Sequence, residues 1–317
     1  MNKIRICLSI GKFDKAFEKM IEELSPFAEV ITVGLSDFSL AGVDIFIGKK
    51  LSVKILDTAN RLKAVFAYKT GVDAFPLTHL AHKNVRVFNS HADSKIIAEY
   101  AFGLAVSLVN RISEFDRNLR QGIWYDTKNE FWQSIFSMKI GLVGYGYIGK
   151  DVHRILRNNG IAAYTLDRGK VYGDIGLAKD LDELIEICDL LILSLPKTPD
   201  TDNMFNANNL SKMHGKFIVN VGRSNAIDQS ALFQALKRGT LAGAAIDTWD
   251  EKPKHKKDRL KPSVYDFETL PNVILSPHAA MRVANGHQNY VEDVTKNVIG
   301  YLCGEEPINE IDLKAGY

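Results

Sequence analysis

Residues 139–156 read KIGLVGYGYIGKDVHRIL. An apolar run breaks into three glycines, Gly144-x-Gly146-x-x-Gly149, and a segment with helical spacing follows. A strand, a glycine-rich turn and a helix in that order form a cradle for a dinucleotide. Gly144 permits the tight turn, Gly146 lets the backbone approach a pyrophosphate, and Gly149 allows close packing of helix on strand. The helix amino terminus then stabilises the phosphate charge. Tyr147 and Ile148 fall in the same turn and count with the cofactor-binding residues. Asp167 ends the next strand-like run, eighteen residues beyond Gly149. A carboxylate there would hydrogen-bond the adenosine ribose hydroxyls and repel a 2′-phosphate, which favours NAD over NADP. Arg168 and Lys170 weaken that preference, since either could accept a phosphate.

Outward from this stretch the pattern repeats. KIGLVG, IAAYTLD, DLLILSLP, KFIVNVG, LAGAAID and NVILSP read as strands separated by helical segments. Their lack of polar alternation suits a parallel sheet covered on both faces. DLDELIEI supplies a carboxylate capping box, Asp180 with Glu183. The first ninety residues carry the same rhythm, with KIRICLSI, AEVITVG, VDIFIG, LKAVFAY and NVRVFNS as strands and FDKAFEKMIEEL as a helix. Between the halves, Asp93 to Phe115 reads as one long apolar helix capped by Asp93 or Ser94, buried between layers or in an interface. The next segment, DRNLRQGIWYDTKNEFWQSIF, holds two of the three tryptophans and reads as an arm or linker packing on a partner. The tail from Val283 reads as an amphipathic helix returning to the first domain.

Composition bounds the rest. The chain has 317 residues, 46% hydrophobic and 25% charged, which suits about two globular domains. A net charge of +2 gives no sequence-wide field for nucleic acid or an acidic membrane. The basic cluster from Lys252 to Lys261 reads as a solvated loop, with steering of an anionic substrate as the second reading. Cys7, Cys188 and Cys303 stand far apart, without metal-ligand spacing, and read as reduced packing residues in a cytoplasmic protein. The N-terminal apolar run is too short for a signal peptide, and no run approaches the roughly 18 apolar residues of a membrane span.

Two further motifs carry chemistry. KFIVNVGRSNAIDQSALFQAL brings Arg223 just past a strand end, and such ends face the ligand crevice of a doubly wound sheet. A guanidinium there is either a solvated surface group or a planar fork for a carboxylate. NVILSPHAAM ends its strand with Pro277-His278. That histidine is either a hydrogen-bonded structural residue or a group that gives and takes a proton near neutral pH.

With these pieces in order, the chain resembles the D-isomer-specific 2-hydroxyacid dehydrogenase family over nearly its whole length. The matching stretches are KTGVDAF (69–75), IAEYAFGL, the glycine motif, LSLPKTPDTDNMF, VNVGRSNAIDQSALFQALKRGTLAGAAIDTWDEKP and NVILSPH. GVDAF is closest in flavour to glyoxylate/hydroxypyruvate reductase-like members, with phosphoglycerate dehydrogenase-like members beside them. The resemblance implies an α/β architecture. A Rossmann doubly wound parallel sheet domain over 94–282 binds NAD. A smaller flavodoxin-like α/β substrate domain is discontinuous, from 1–93 and 283–317. It implies that Arg223 binds the substrate carboxylate and carbonyl oxygen, and that His278 protonates that oxygen. Asp247 would hold the nicotinamide carboxamide or its ring environment. Pro196, Val221 and Gly222 would line the cofactor cleft. Backbone N–H groups around Thr70, Gly71 and Val72 would grip the substrate carboxylate, with Asp73 shaping the turn. Tyr68, Lys69 and His91 would border the substrate side chain. The implied assembly is a homodimer joined through the long helix and the tryptophan arm.

Two departures stand out. The family places a glutamate before the proline of the loop after Asp247, where it pairs with the histidine. Here Lys252 precedes Pro253, and Glu251 lies one position earlier. Glu251 takes the role through a small backbone shift, or the chain runs without the carboxylate as the formate dehydrogenase branch does, or the site is impaired. A lysine facing His278 would shift a reductive optimum to lower pH. In NSHADSKIIAE, His91 replaces the proline–glycine region of many relatives and either touches substrate or caps a turn. The leading expectation is an NAD-dependent oxidoreductase interconverting a small 2-keto acid and its D-2-hydroxy acid. The alternative is an NAD(H)-sensing, corepressor-like protein, and a formate or phosphite dehydrogenase ranks below both.

Overall fold

The computed structural model describes residues 3–124, 131–169, 173–251, 253, 259–284 and 286–316. The chain divides into two compact units, residues 1–93 with 283–317 and residues 94–282. The smaller unit opens with β1 (Arg5–Ser9), α1 (Lys15–Leu24), β2 (Glu29–Val33), β3 (Ile45–Gly48), α2 (Val53–Leu56), β4 (Ala64–Ala67), α3 (Leu77–His82) and β5 (Arg86–Phe88). Its five strands pair in parallel in the order β2-β1-β3-β4-β5, the flavodoxin-like arrangement. Helix α1 starts where Asp14 turns extended and its carboxylate accepts from the Ala16 and Phe17 N–H groups at 3.0 and 3.3 Å.

The larger unit runs α4 (Ser94–Val109), α5 (Ile112–Leu119), β6 (Ile140–Val143), α6 (Tyr147–Asn158), β7 (Ala163–Leu166), β8 (Gly176–Ala178), α7 (Leu181–Ile187), β9 (Leu190–Leu193), α8 (Ala207–Ser211), β10 (Phe217–Asn220), α9 (Gln229–Lys237), β11 (Gly243–Ile246) and β12 (Val273–Leu275). Its seven strands lie in the order β12-β11-β10-β9-β6-β7-β8, all parallel. Counted from β6, this is the Rossmann order with one further strand at an edge. Strands β6, β9, β10 and β11 are buried along their whole length, as helices on both faces require. Ile97, Ala98, Ala101, Leu104, Ala105 and Leu108 make one apolar stripe of α4 within the core that holds Ile140, Leu142 and Val219.

The last helix, α10 (Gly286–Leu302), belongs to the smaller unit. Tyr290, Val291, Val294 and Val298 enter the core formed by Ile6, Leu8 and the α1 residues Phe17, Met20 and Leu24. Burying an aliphatic side chain of this kind contributes about 1.5–3 kcal/mol. The unit's core therefore depends on the chain's last segment.

Several sequence expectations are corrected. The apolar segment after Asp93 is two helices, not one, bent by 59° where Arg111 adopts φ 55°. Neither proposed residue caps it: the Ser94 hydroxyl donates to Asp151 of α6 at 2.6 Å, and the Asp93 carboxylate takes no hydrogen bond from the helix. The capping box is displaced by one residue. Asp180 accepts from the Glu183 N–H at 2.9 Å, but Glu183 reaches back to the Lys179 N–H at 2.6 Å. The larger sheet gains β8, which the sequence reading missed. Cys7 and Cys188 are buried, with burial raising both thiols, to about 11 and about 12, whereas Cys303 is exposed and is not a packing residue. Among the described residues no single helix is long and apolar enough to cross a membrane, and no group of three or more His, Cys, Asp or Glu could hold a metal ion.

Candidate active site

The parallel order places every candidate residue of the larger unit at one edge of its sheet. Gly144 follows β6, Asp167 follows β7, Pro196 lies just beyond β9, Val221 to Arg223 follow β10, Asp247 follows β11, and His278 lies just beyond β12. Carboxyl ends of strands at a reversal of strand order are where ligands bind in open α/β sheets, and here that reversal lies between β6 and β9.

The glycines of the first turn differ in what demands them. Gly144 has φ 100°, which L side chains rarely adopt, and the Ser194 hydroxyl donates to its carbonyl at 2.9 Å. A Cβ on Gly149 would land on that same Gly144 carbonyl oxygen. Protein packing thus requires both. Gly146 is different: its backbone is extended, φ −81°, and a Cβ there would meet nothing within 4 Å. Gly146 is also the N-cap of α6 and forms no side-chain cap, whereas Asp14, Asp180 and Asp228 cap α1, α7 and α9. An uncapped helix start behind a glycine that packing does not need fits a diphosphate at this turn. Tyr147 is exposed, and Ile148 is packed against the core. Asp167 and Arg168 are exposed beyond β7, and one Asp167 oxygen accepts from the Gly169 N–H at 2.9 Å. Lys170 lies outside the described residues.

The turn after β10 is held from within. The Asn220 side chain accepts from the Gly222 N–H and donates to the Arg223 carbonyl, both at 3.0 Å. A Cβ on Gly222 would come within 2.6 Å of the Leu195 nitrogen, so this turn presses against the one that carries Pro196. The Arg223 guanidinium is half-buried and donates to the Gly222 carbonyl at 3.1 Å.

His278 is half-buried with φ 54°, a left-handed conformation uncommon for a residue with a Cβ. Asp247 holds the loop that bears it. Asp247 is 1% exposed. Its carboxylate accepts from the Ser276 hydroxyl, from the Ala279 N–H at 2.7 Å and from the Ala280 N–H at 3.2 Å. The sequence pointed to Asp247 for the nicotinamide, and the structure shows its oxygens engaged with the histidine loop. Asn220 and Ser276 were missed by sequence reasoning. Their only signal was position, one ending a strand and the other two residues before His278.

In the smaller unit, Lys69 to Val72 follow β4 and Asn89 to His91 follow β5. The Asn89 amide donates to the Thr70 carbonyl at 2.7 Å, and the Thr70 hydroxyl donates to the Ser90 carbonyl at 2.9 Å and lies 3.0 Å from the Tyr290 hydroxyl. Among the described residues, no acceptor takes the backbone N–H groups of Thr70, Gly71 or Val72. The turn is therefore fixed while its donors stay available. Lys69 Nζ lies 5.7 Å from the Phe75 ring centre. Burial pushes His91 down to about 4 against the pull of Asp293, so it is uncharged at neutral pH.

Lys252 lies outside the described residues, as do Lys254, Lys256 and Lys257. Glu251 is exposed and lines a cavity of about 520 Å³ with Asp202, Asn225, Asp228 and Tyr265, and His278 is not among the lining residues.

Residues 102–280 match the model for the NAD binding domain of D-isomer specific 2-hydroxyacid dehydrogenases. D-3-phosphoglycerate dehydrogenase 2 of Saccharomyces cerevisiae is 29% identical over 239 residues, 72% of this chain, and the match spans 50% of that protein's length. Glyoxylate reductase of Korarchaeum cryptofilum is 27% identical over 314 residues, 96% of this chain and 92% of the relative. The crystal structure of an NADPH-dependent glyoxylate/hydroxypyruvate reductase from Sinorhizobium meliloti, in complex with NADP and malonate, aligns with a TM-score of 0.78 at 25% identity, over 99% of this chain and 98% of that one.

Proposed function

The chain belongs to the D-isomer specific 2-hydroxyacid dehydrogenase family, and from that premise we propose that it reduces a small 2-keto acid to the D-2-hydroxy acid with NADH, or runs the reverse. What supports this reading is the shared sheet edge. It carries an uncapped helix start behind Gly146, the braced turn of Arg223 and the clamped loop of His278. The nicotinamide ring, when bound, supplies the hydride to the carbonyl carbon. Gly144, Gly146, Gly149, Pro196, Val221 and Gly222 would border that cofactor, and Asp167 would take its adenosine ribose. Arg223 grips the carboxylate and polarises the carbonyl oxygen, which lowers the cost of the charge that develops there. His278 gives its proton to that oxygen. In the smaller unit the N–H groups of Thr70, Gly71 and Val72 are donors of the kind that suit a carboxylate, with Lys69 next to them in the chain.

The test is NADH oxidation by the purified protein with glyoxylate, hydroxypyruvate, pyruvate, 2-ketobutyrate, oxaloacetate and a branched keto acid. Turnover is expected on at least one acid and is lost in Arg223→Ala. Asp167 sets the expected preference for NADH over NADPH at tenfold or more in kcat/KM, about 1.4 kcal/mol, and Asp167→Ala narrows it. Tight NADH binding with no turnover on any acid would replace the enzyme by a sensor. A Glu251→Gln variant with the wild-type pH profile would remove Glu251 from the reaction.

The assembly we propose is a homodimer. Trp124, Phe131, Trp132 and Phe136 are exposed at 75, 89, 54 and 67%, and Ile112 and Leu119 of α5 at 52 and 50%. So much aromatic surface on one short stretch is the mark of an interface. Sedimentation should give twice the 35.4 kDa of one chain, and Phe131→Glu with Trp132→Glu should give the single chain. A wild-type protein at 35.4 kDa would end the proposal.

A further inference from the structure

The left-handed backbone of His278 needs a support, and the directions of the hydrogen bonds at Ser276, two residues before it, identify one. A carboxylate only accepts, so the Ser276 hydroxyl spends its single proton on Asp247. The Ser276 oxygen is then left as an acceptor. The Tyr100 hydroxyl, 2.9 Å away, is therefore the donor. The Trp249 indole N–H donates to the Ser276 carbonyl at 2.9 Å, which fixes the same residue from its other side. Beyond Ser276 the chain passes through Pro277 to His278, and Asp247 receives the Ala279 and Ala280 N–H groups. Ser276, Asp247 and Trp249 are each less than 5% exposed, so water does not substitute for these partners.

We propose that Tyr100 is a positioning residue for the reaction proposed above, an inference that rests on the role proposed for His278. Tyr100 stands on α4, whose neighbouring residues Ile97, Ala98, Ala101 and Leu104 are locked in the core. Its hydroxyl ties the histidine loop to that fixed helix. With Tyr100 donating to Ser276, the serine proton has one direction left, toward Asp247, and the Asp247 clamp keeps its geometry. Without it the serine hydroxyl can rotate away, Asp247 loses a donor, and His278 drifts from the conformation that aims its ring.

A double-mutant cycle on the full-length protein, with NADH and the best keto acid of the panel, tests this. One neutral hydrogen bond is about 1 kcal/mol, so Tyr100→Phe, which keeps the ring and its packing, should lower kcat about fivefold. The Kd for NADH, read by fluorescence, should stay within about twofold, because the diphosphate turn is untouched. Ser276→Ala should lower kcat at least as far, and adding Tyr100→Phe to it should change nothing more, since both act through one chain of bonds. The NMR resonance of the His278 ring Cε1–H should broaden or shift in Tyr100→Phe. Effects that multiply independently would overturn the proposal, as would wild-type kcat with an unchanged His278 resonance. A wild-type protein without turnover on any keto acid would defeat the dehydrogenase reading instead. The His278 resonance would then decide alone, and its constancy in Tyr100→Phe would overturn the positioning role.

Discussion

His278→Asn should lose about 10²–10⁴-fold in turnover of the preferred keto acid, the usual contribution of a positioned proton donor, while NADH binds as in the wild type. Asparagine is the informative replacement for a reason visible in the backbone. His278 sits at φ 54°, and asparagine is among the few residues that accept this region readily. The loop therefore keeps its shape, and the Ala279 and Ala280 N–H groups stay on Asp247. What disappears is the ability to hand over a proton. In the proposed reaction the alkoxide left by hydride transfer would then have to take its proton from water. Steady-state kinetics alongside NADH fluorescence separate the two effects. A variant that binds NADH normally and keeps more than a tenth of wild-type turnover would show that the proton comes from elsewhere. Loss of NADH binding would show that His278 serves the cofactor rather than the carbonyl.

The glycine turn and the strand-end residues were legible because their signals are local. Three glycines, an apolar run before them and a helical period after them occupy eighteen consecutive residues, 139–156. The clamp beneath His278 was not legible for the opposite reason. Asp247 and Ser276 are 29 residues apart, and Tyr100 and Ser276 are 176 apart, so no window of sequence contains the partners. Edge strand β8 escaped because its three residues, Gly-Leu-Ala, carry almost no strand propensity. Gly176 stands there because a Cβ would run into the ring of Tyr164 across the pair, a requirement that belongs to the neighbour. The break between α4 and α5 escaped because an arginine, not glycine or proline, takes the left-handed position. The reading of Asp247 shows a subtler limit. Sequence marked it as important, and the structure shows what its oxygens do: they fix the conformation of a residue 31 positions away.

The second large effect separates two glycines of one motif. Gly149→Ala should cost the fold, and Gly146→Ala should cost only the ligand. A Cβ at Gly149 meets the Gly144 carbonyl, which the Ser194 hydroxyl already holds at 2.9 Å. The obstacle is backbone at the tightest point of the turn, so neither partner has a rotamer through which to yield. Overpacking of a well-packed site costs about 1–3 kcal/mol, occasionally more, and this contact belongs at the upper end. The melting temperature should fall by several degrees, or the protein should fail to accumulate. Alanine at Gly146 adopts an extended backbone that any residue accepts, and its methyl touches no protein atom within 4 Å. Its melting curve should match the wild type within about 0.5 kcal/mol. On the proposed cofactor site the methyl would stand in the approach of the diphosphate to the N–H groups of α6, and a tenfold or greater loss of NADH affinity, about 1.4 kcal/mol, is expected. Thermal melts and NADH titrations on the two variants read these outcomes separately. Wild-type NADH affinity in Gly146→Ala would mean that the diphosphate does not approach this turn, and the cofactor site would have to be sought elsewhere along the sheet edge.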